Sequence, residues 1–384
     1  MKAKNIFLVL IAILFVSSIS NGARREAEDF TKSLKVNKGG KLNININSGT
    51  IDLTPWEKNE VYVKVKNVDS DEIKNMEVYQ EGNNVFVKYS SEWGWGEEIE
   101  LSVSFPSQYS VDAKTTGGDI SVKGNVAGNI DLNTMGGDIS LKNVKGKVKI
   151  NTQGGDLNVG NIEGGLTLST MGGDIRIGEV IGEMVKANTM GGDIKVAKAM
   201  SGIEAVTYGG EIEIKFVGGD YSQLKTMGGS IEVGNANGRV SMQTMGGNLV
   251  VQNGSGFIDA SSNAGDIVLH NITGSVNAKA TSGNITVDIS PASGSSSNLN
   301  ANIGRIEINL LPSAKATIEA EIRVRGNWKF MKDDYKIRSE FEAKSYSADD
   351  KERKIKATYE VNGGGGKIYA SSNNENITIK KLSK

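Results

Sequence analysis

Apolar and polar residues alternate along most of this chain in short runs of period two, the pattern of half-buried β-strands. Leu42-Asn-Ile-Asn-Ile-Asn and Thr50-Ile-Asp-Leu alternate around Ser48-Gly49, and Val61-Tyr-Val-Lys-Val alternates again. From residue 115 the alternation is punctuated at regular intervals by paired glycines. Thr-Thr-Gly-Gly-Asp-Ile begins at Thr115, Thr-Met-Gly-Gly-Asp-Ile recurs at Thr134, Thr170 and Thr189, and variants start at Thr152, Thr207, Thr226, Thr244 and Ser262. Taking the second glycine of each unit as the register, the nine intervals from Gly118 to Gly283 span 165 residues, or about 18 per unit. A fixed period of this size marks a repeat architecture in which each unit buries its apolar face against its neighbours.

The spacing inside one unit selects the architecture. Between Asp138 and Gly155 the apolar positions are Ile139, Leu141, Val144, Val148 and Ile150, and a shift of nine carries Ile139 and Leu141 onto Val148 and Ile150. A six-residue triangular helix is excluded, because six on from Ile139 stand Lys145 and Asn151. The pattern predicts an all-β solenoid with two short strands per 18–19-residue coil. Gly-Gly closes one end of the coil and a single glycine such as Gly128, Gly146 or Gly164 closes the other, the glycines being read as turn residues with φ > 0. No proline lies between Gln108 and Ser290, as a continuous inter-coil ladder requires. Ser140, Lys142, Lys147, Lys149 and Asn151 point outward, so both broad faces are wet. The alternation Ile130, Leu132, Thr134 turns each threonine inward. At ~4.8 Å per coil the ten marked glycines imply a rod of roughly 45 Å.

The flanks divide the rest. Residues 1–22 read as a signal peptide: Lys2 and Lys4, an apolar run from Ile6 to Val16 too short to span a bilayer, and small residues before a cleavage point at Gly22, with Ser20 an alternative. Residues 23–107 are a strand-rich N-terminal flank or cap, 108–311 the solenoid body, 312–362 a charged excursion beside the solenoid, and 363–384 a C-terminal coil and cap. Open solenoid ends require such caps, and uncapped they are potential sites of self-association.

Composition changes the picture in three ways. Glycine supplies 48 of 384 residues, well above the usual ~7%, and the repeat shows them spent on turns. The formal net charge of −1 leaves no electrostatic footprint for nucleic acid. Cysteine is absent, so the fold is held without disulfides and the N-terminus carries no lipid-modified cysteine.

With these residues in order, the chain resembles a family of bacterial exported or membrane-tethered proteins known as putative adhesins, whose shared domain has no settled function. The likeness rests on Gly39-Gly40 before Leu42-Asn-Ile-Asn-Ile, on Val103-Ser-Phe-Pro106 followed by Tyr109-Ser-Val, and on the Thr-x-Gly-Gly-Asp-Ile coils. It continues in Val361-Asn-Gly-Gly-Gly-Gly-Lys-Ile with Asn376-Ile-Thr-Ile. The resemblance implies a right-handed β-helix-like fold and residence in the periplasm, at the cell surface or outside the cell.

Candidate chemistry is sparse. His270 is the single histidine, so a histidine metal cluster is excluded and a Ser-His-Asp triad would have to be built on it; an outward strand position is the expectation. The coils are uniformly short and leave no long loops for a polysaccharide-cleaving cleft. Three surface features are binding candidates. Met135, Met171, Met190, Met227 and Met245 occupy equivalent turn positions and form either an apolar strip for a partner or a row partly buried against the neighbouring coil or the N-terminal flank. Trp93 and Trp95 suit sugar stacking, a membrane interface or a plug at the rod's end. Asp119, Asp138, Asp156, Asp174, Asp193 and Glu211 stack six carboxylates at one coil spacing, which either accept backbone N–H groups locally or hold a cation such as Ca²⁺; the local reading is the expectation. No catalytic residue and no cofactor is expected. The sequence therefore reads as an exported, non-enzymatic adhesion or envelope-interaction scaffold whose partner is a cell-surface protein, glycan or lipid. Behind it stand an envelope-stress sensor of peptide or lipid and, more distantly, a carbohydrate-active β-helix.

Overall fold

The computed structural model describes residues 28–68, 73–90, 99–331 and 333–382. The signal-peptide reading of residues 1–22, together with Trp93 and Trp95, lies outside them.

The predicted coil is present. In the unit after Gly137, β12 (Ile139–Leu141) and β14 (Val148–Asn151) are the two alternating strands, and β13 (Val144–Lys145) adds a short paired segment between them. Every pairing along the body is parallel, with Ile139 opposite Leu157, Val144 opposite Ile162 and Val148 opposite Leu166, and the register shifts only at Gly164/Leu166 and Leu269/Ile272. Further along, the segments merge into continuous strands that bend around the corner, as in β17 (Ile175–Asn188), β22 (Ile231–Thr244), β23 (Leu249–Ser262) and β24 (Ile267–Ser282). The inward positions form aliphatic columns with one member per coil, Ile139, Leu157, Ile175, Ile194 and Ile212 among them, all buried. Each such side chain contributes about 1.5–3 kcal/mol by burial, and the columns run the length of the rod as one core.

The two kinds of glycine do different work, and here the structure corrects the sequence reading. Of the single glycines, Gly146 and Gly164 adopt positive φ, 151° and 150°, whereas Gly128 does not and is instead held close to the Tyr109 carbonyl oxygen, 2.3 Å from where its Cβ would lie. The second glycine of each pair does not; it is required because successive coils approach backbone to backbone. A Cβ on Gly173 would lie 2.0 Å from the carbonyl oxygen of Gly155, its counterpart one coil earlier.

Both ends are built by the same device. At the N-terminal end, β2 (Lys41–Ile46) lies between β6 (Asn84–Tyr89) and β8 (Ser110–Lys114), parallel to both, and β3 (Thr50–Trp56) lies between β7 (Glu100–Pro106) and β9 (Ile120–Val122). The ladder then turns antiparallel: β4 (Glu60–Val68) pairs with β7, β1 (Glu28–Lys35) with β4, and β5 (Met76–Glu81) with β6. At the C-terminal end β32 (Gly366–Asn373) is inserted between β26 (Ser296–Ile303) and β28 (Ala316–Arg323). There β31 (Lys354–Val361) runs antiparallel to β28, and β30 (Ser345–Asp349) to β31. The stretch 312–362, expected wholly beside the solenoid, thus contributes β28 to the axis itself, and the coil after Gly363 lies one position in from the end. The switch to antiparallel pairing ends the solenoid, and the outermost β30 is mostly exposed and polar apart from Tyr346 and Ala348, which discourages further strand addition.

Two elements of the family resemblance, Gly40 and Tyr109, meet at the N-terminal end. The Tyr109 hydroxyl donates to the Asn83 carbonyl at 2.5 Å and occupies the space that a Cβ on Gly40 would need. Burial pushes the Tyr109 phenol up to about 12.

Candidate interaction surfaces

The corner at the paired glycines is set by its buried threonine. Thr170 Oγ1 donates to the Gly155 carbonyl one coil earlier at 3.0 Å and accepts the Gly173 N–H of its own turn at 3.3 Å; Thr134, Thr152, Thr189, Thr207, Thr226 and Thr244 repeat the donated bond. With the threonine pinned inward, the next residue must face solvent. Met135, Met171, Met190, Met227 and Met245 do so, and Tyr208 joins them at the same position in its own coil, each between 45% and 56% exposed. From Met171 to Met245 the row is Met, Met, Tyr, Met, Met on five successive coils. Its backbones are linked by Met190 N–H to Met171 O, Tyr208 N–H to Met190 O and Met227 N–H to Tyr208 O, each at 3.2 Å. At one coil per ~4.8 Å this is an apolar strip roughly 19 Å long. Each side chain is also about half covered, so the row combines exposure with the partial burial that is the other reading of these methionines. Tyr208 is a member that the methionine pattern does not include; its place directly after Thr207 is the signal for it in the sequence.

The acidic column is hydrogen-bonded to the backbone of successive coils. Oδ1 of Asp119 accepts the Asp138 N–H at 2.8 Å, and the same rung runs from Asp138 to Asp156, Asp156 to Asp174, Asp174 to Asp193 and Asp193 to Glu211, at 2.7–2.9 Å. The acceptor serves the next coil rather than its own turn, so the carboxylates stitch coils together. Asn248 and Asn284 make the equivalent bond to Asp266 and Arg305, so the amide oxygen suffices. Arg176 bridges Asp156 and Asp174 at 3.3 and 2.7 Å and offsets the repulsion between them.

The face that follows this column carries a trough of about 800 Å³. Three small residues on successive coils, Gly160, Gly178 and Ala197, form its floor between Lys142 and Lys215. Ser121, Ser140, Asn158, Arg176, Lys195 and Glu213 form the row beside them. At its N-terminal end Lys123 pairs with Asp52 at 2.9 Å. Partial burial raises the Asp52 carboxyl, but bonds from Ser121 and Lys123 and the Lys123 charge outweigh it and hold the group below the ordinary aspartate range.

His270 stands on the outer side of β24, as expected, with Nδ1 2.6 Å from Asp288 Oδ2 on the next coil; Asn309 Nδ2 donates to the other Asp288 oxygen at 2.8 Å. The three form an inter-coil rung like the aspartate column. In the C-terminal cap, Trp328 is buried with its indole N–H on Asp350 at 2.7 Å. Among the described residues no helix is long and apolar enough to cross a membrane.

Long parallel coils, wet faces and antiparallel ends define a capped β-solenoid. The chain belongs to the Toastrack DUF4097 family, whose model matches residues 40–217 and 184–340. This is a putative-adhesin family of unsettled function. The fold is similar to a putative adhesin from Parabacteroides distasonis, at 11% identity and a TM-score of 0.37, covering 66% of this chain and 97% of that one. It is similar also to a putative adhesin from Parabacteroides merdae, at 12% identity and a TM-score of 0.31, covering 66% and 96%. A putative lipid binding protein from Parabacteroides distasonis matches at 12% identity and a TM-score of 0.23, covering 74% and 96%. No curated protein matches.

Proposed function

We propose that this protein is an exported, non-catalytic scaffold that attaches to a component of the cell surface or envelope through its methionine–tyrosine corner. The observation that carries this reading is the unbroken exposed row from Met171 to Met245 on a rigid support. A soluble surface rarely keeps large apolar side chains aligned without using them, and thioethers on flexible stems adapt to a partner's shape while their backbones stay fixed by the coil ladder. The inward threonines supply that rigidity, since every strip residue follows a doubly bonded Thr. Export rests on the leader-like pattern of residues 1–22.

Retention of the purified protein on intact cells, isolated cell wall and lipid vesicles tests the proposal, compared with a Met171→Gln, Met190→Gln, Met227→Gln, Met245→Gln variant. These exposed substitutions should each cost under ~0.5 kcal/mol, so an unchanged melt with retention lost on one fraction is the expected result. Equal retention of both proteins on every fraction refutes the assignment of the corner.

A further inference from the structure

We infer that the methionine corner is an oxidation switch: conversion of Met135, Met171, Met190, Met227 and Met245 to sulfoxides by a peroxide-type oxidant releases the protein from the surface it attaches to and leaves the fold intact. The inference rests on the attachment role proposed for the corner and adds the covalent modification that regulates it.

Access to sulfur comes first. The chain has no cysteine, so its 11 methionines carry all of its sulfur, and an oxidant that elsewhere meets a thiolate has only thioethers to act on. Five of the 11 stand in the corner row, each about half exposed. Met184 and Met200, at the single-glycine end of their coils, are less exposed, and Met242 is buried in the core. Accessibility therefore directs oxidation to the row first and to Met242 last.

The chemical step needs only a hydroperoxide. The thioether sulfur gives an electron pair to one peroxide oxygen, the O–O bond breaks and an S–O bond forms. The proton on the transferred oxygen passes to the departing hydroxide, which leaves as water. Sulfur is oxidised by two electrons and the peroxide is reduced by the same two. The product replaces an apolar sulfur by a dipolar S=O that accepts hydrogen bonds. Pressed against an apolar partner, that oxygen has no donor, and an unpaired acceptor weakens the contact. In the run Met171, Met190, Tyr208, Met227, Met245 four of the five members change, and the Tyr208 hydroxyl is the single side-chain donor among them. The strip thus turns polar along its whole length.

The fold does not depend on these sulfurs. The corner is held by its backbone, Met190 N–H to Met171 O and Met227 N–H to Tyr208 O, and by the inward threonines, Thr170 to Gly155 and Thr189 to Gly173. An oxygen added to an outward sulfur enters solvent and meets none of these bonds. On Met242 the same oxygen would have to enter the core between Leu224 and Ala260, its counterparts on the adjoining coils. Leucine at the corner would give similar apolarity with no reactive sulfur. Methionine gives an apolar surface that an oxidant turns polar and a sulfoxide reductase turns back.

Treatment of the purified protein with hydrogen peroxide tests the switch. Mass spectrometry of proteolytic peptides locates the sulfoxides, and retention is measured on intact cells, isolated cell wall, vesicles of phosphatidylethanolamine with phosphatidylglycerol, and a phenyl-agarose column. The corner methionines should react before Met242 and the melt should not move. Retention on the fraction that holds the untreated protein should fall about tenfold, the effect of one unpaired acceptor in the contact. Methionine sulfoxide reductases for both epimers, with dithiothreitol as reductant, should restore it. A Met135→Leu, Met171→Leu, Met190→Leu, Met227→Leu, Met245→Leu variant should bind like the parent and stay bound after peroxide, whereas Met184→Leu, Met200→Leu should stay sensitive. Undiminished retention of a parent whose corner is mapped as sulfoxide overturns the switch. So does a corner that reacts no faster than Met242, or equal peroxide sensitivity of the variant with leucine at the five corner positions. Untreated protein held on no cell, wall or vesicle fraction overturns the attachment role and the switch together. If the untreated parent is held, its Met→Gln variant is not, and the oxidised parent still is, the switch alone is refuted.

Discussion

Replacing one glycine of a pair by alanine should be severe and replacing its neighbour mild, although both sit in the same tight turn. At Gly173 the new Cβ would stand 2.0 Å from the Gly155 oxygen, 2.4 Å from its carbon and 2.7 Å from the Asp156 nitrogen, all backbone atoms of the preceding coil. A tolerable C···O contact is ~3.3 Å, so the two coils must part locally by about 1.3 Å. Three bonds cross that gap: Thr170 Oγ1 to Gly155 O at 3.0 Å, Asp174 N–H to Asp156 Oδ1 at 2.8 Å, and Leu157 N–H to Asp174 O at 2.8 Å. The parting carries each beyond hydrogen-bond reach. At ~1 kcal/mol net per bond, with a further ~1–2 kcal/mol for the buried groups left unpaired, Gly173→Ala should cost about 4–5 kcal/mol. At Gly172 the nearest atom to a Cβ is Gly154 O at 3.4 Å, an ordinary contact, and Gly172→Ala should cost under ~1 kcal/mol. Urea unfolding followed by circular dichroism measures both, and hydrogen exchange at the Leu157 and Ile175 amides shows whether a loss stays local to the two coils. Equal unfolding midpoints for the two variants would refute the close-approach account of the second glycine.

Two further outcomes follow from the side-chain rungs and the N-terminal end. Asp138→Asn should unfold at the parental midpoint, because Asn248 shows that an amide oxygen makes the same bond, whereas Asp138→Leu should lose about 1 kcal/mol; chemical denaturation separates them, and millimolar Ca²⁺ should move the parental melt no more than Mg²⁺ does. Tyr109, raised by burial to about 12 against ~10 when unfolded, binds its proton more tightly in the fold, so its stabilisation is fully present below pH 10 and is lost as pH rises through about 12. Alkaline unfolding curves should show Tyr109→Phe lacking that part of the decline, and an identical pH dependence in the two proteins would sink the assignment.

The period of the paired glycines determined the coil length, the inward and outward rows and the inward threonine, because in a parallel stack the local alternation and the register of neighbours are the same information. It also placed the aspartates in a column and His270 on an outer position. Four things were decided only by the tertiary structure. The ends were hidden because β32 finds its place between β26 and β28 through partners tens of residues away, which no local pattern encodes. The need for glycine at Gly173 comes from the distance between two backbones and not from its own φ. Exposure of the methionine row, and the entry of Tyr208 into it, depended on how the turn aims the residue after threonine. The trough arises from Gly160, Gly178 and Ala197 falling side by side, a juxtaposition set by the exact coil register and visible only once the coils are stacked.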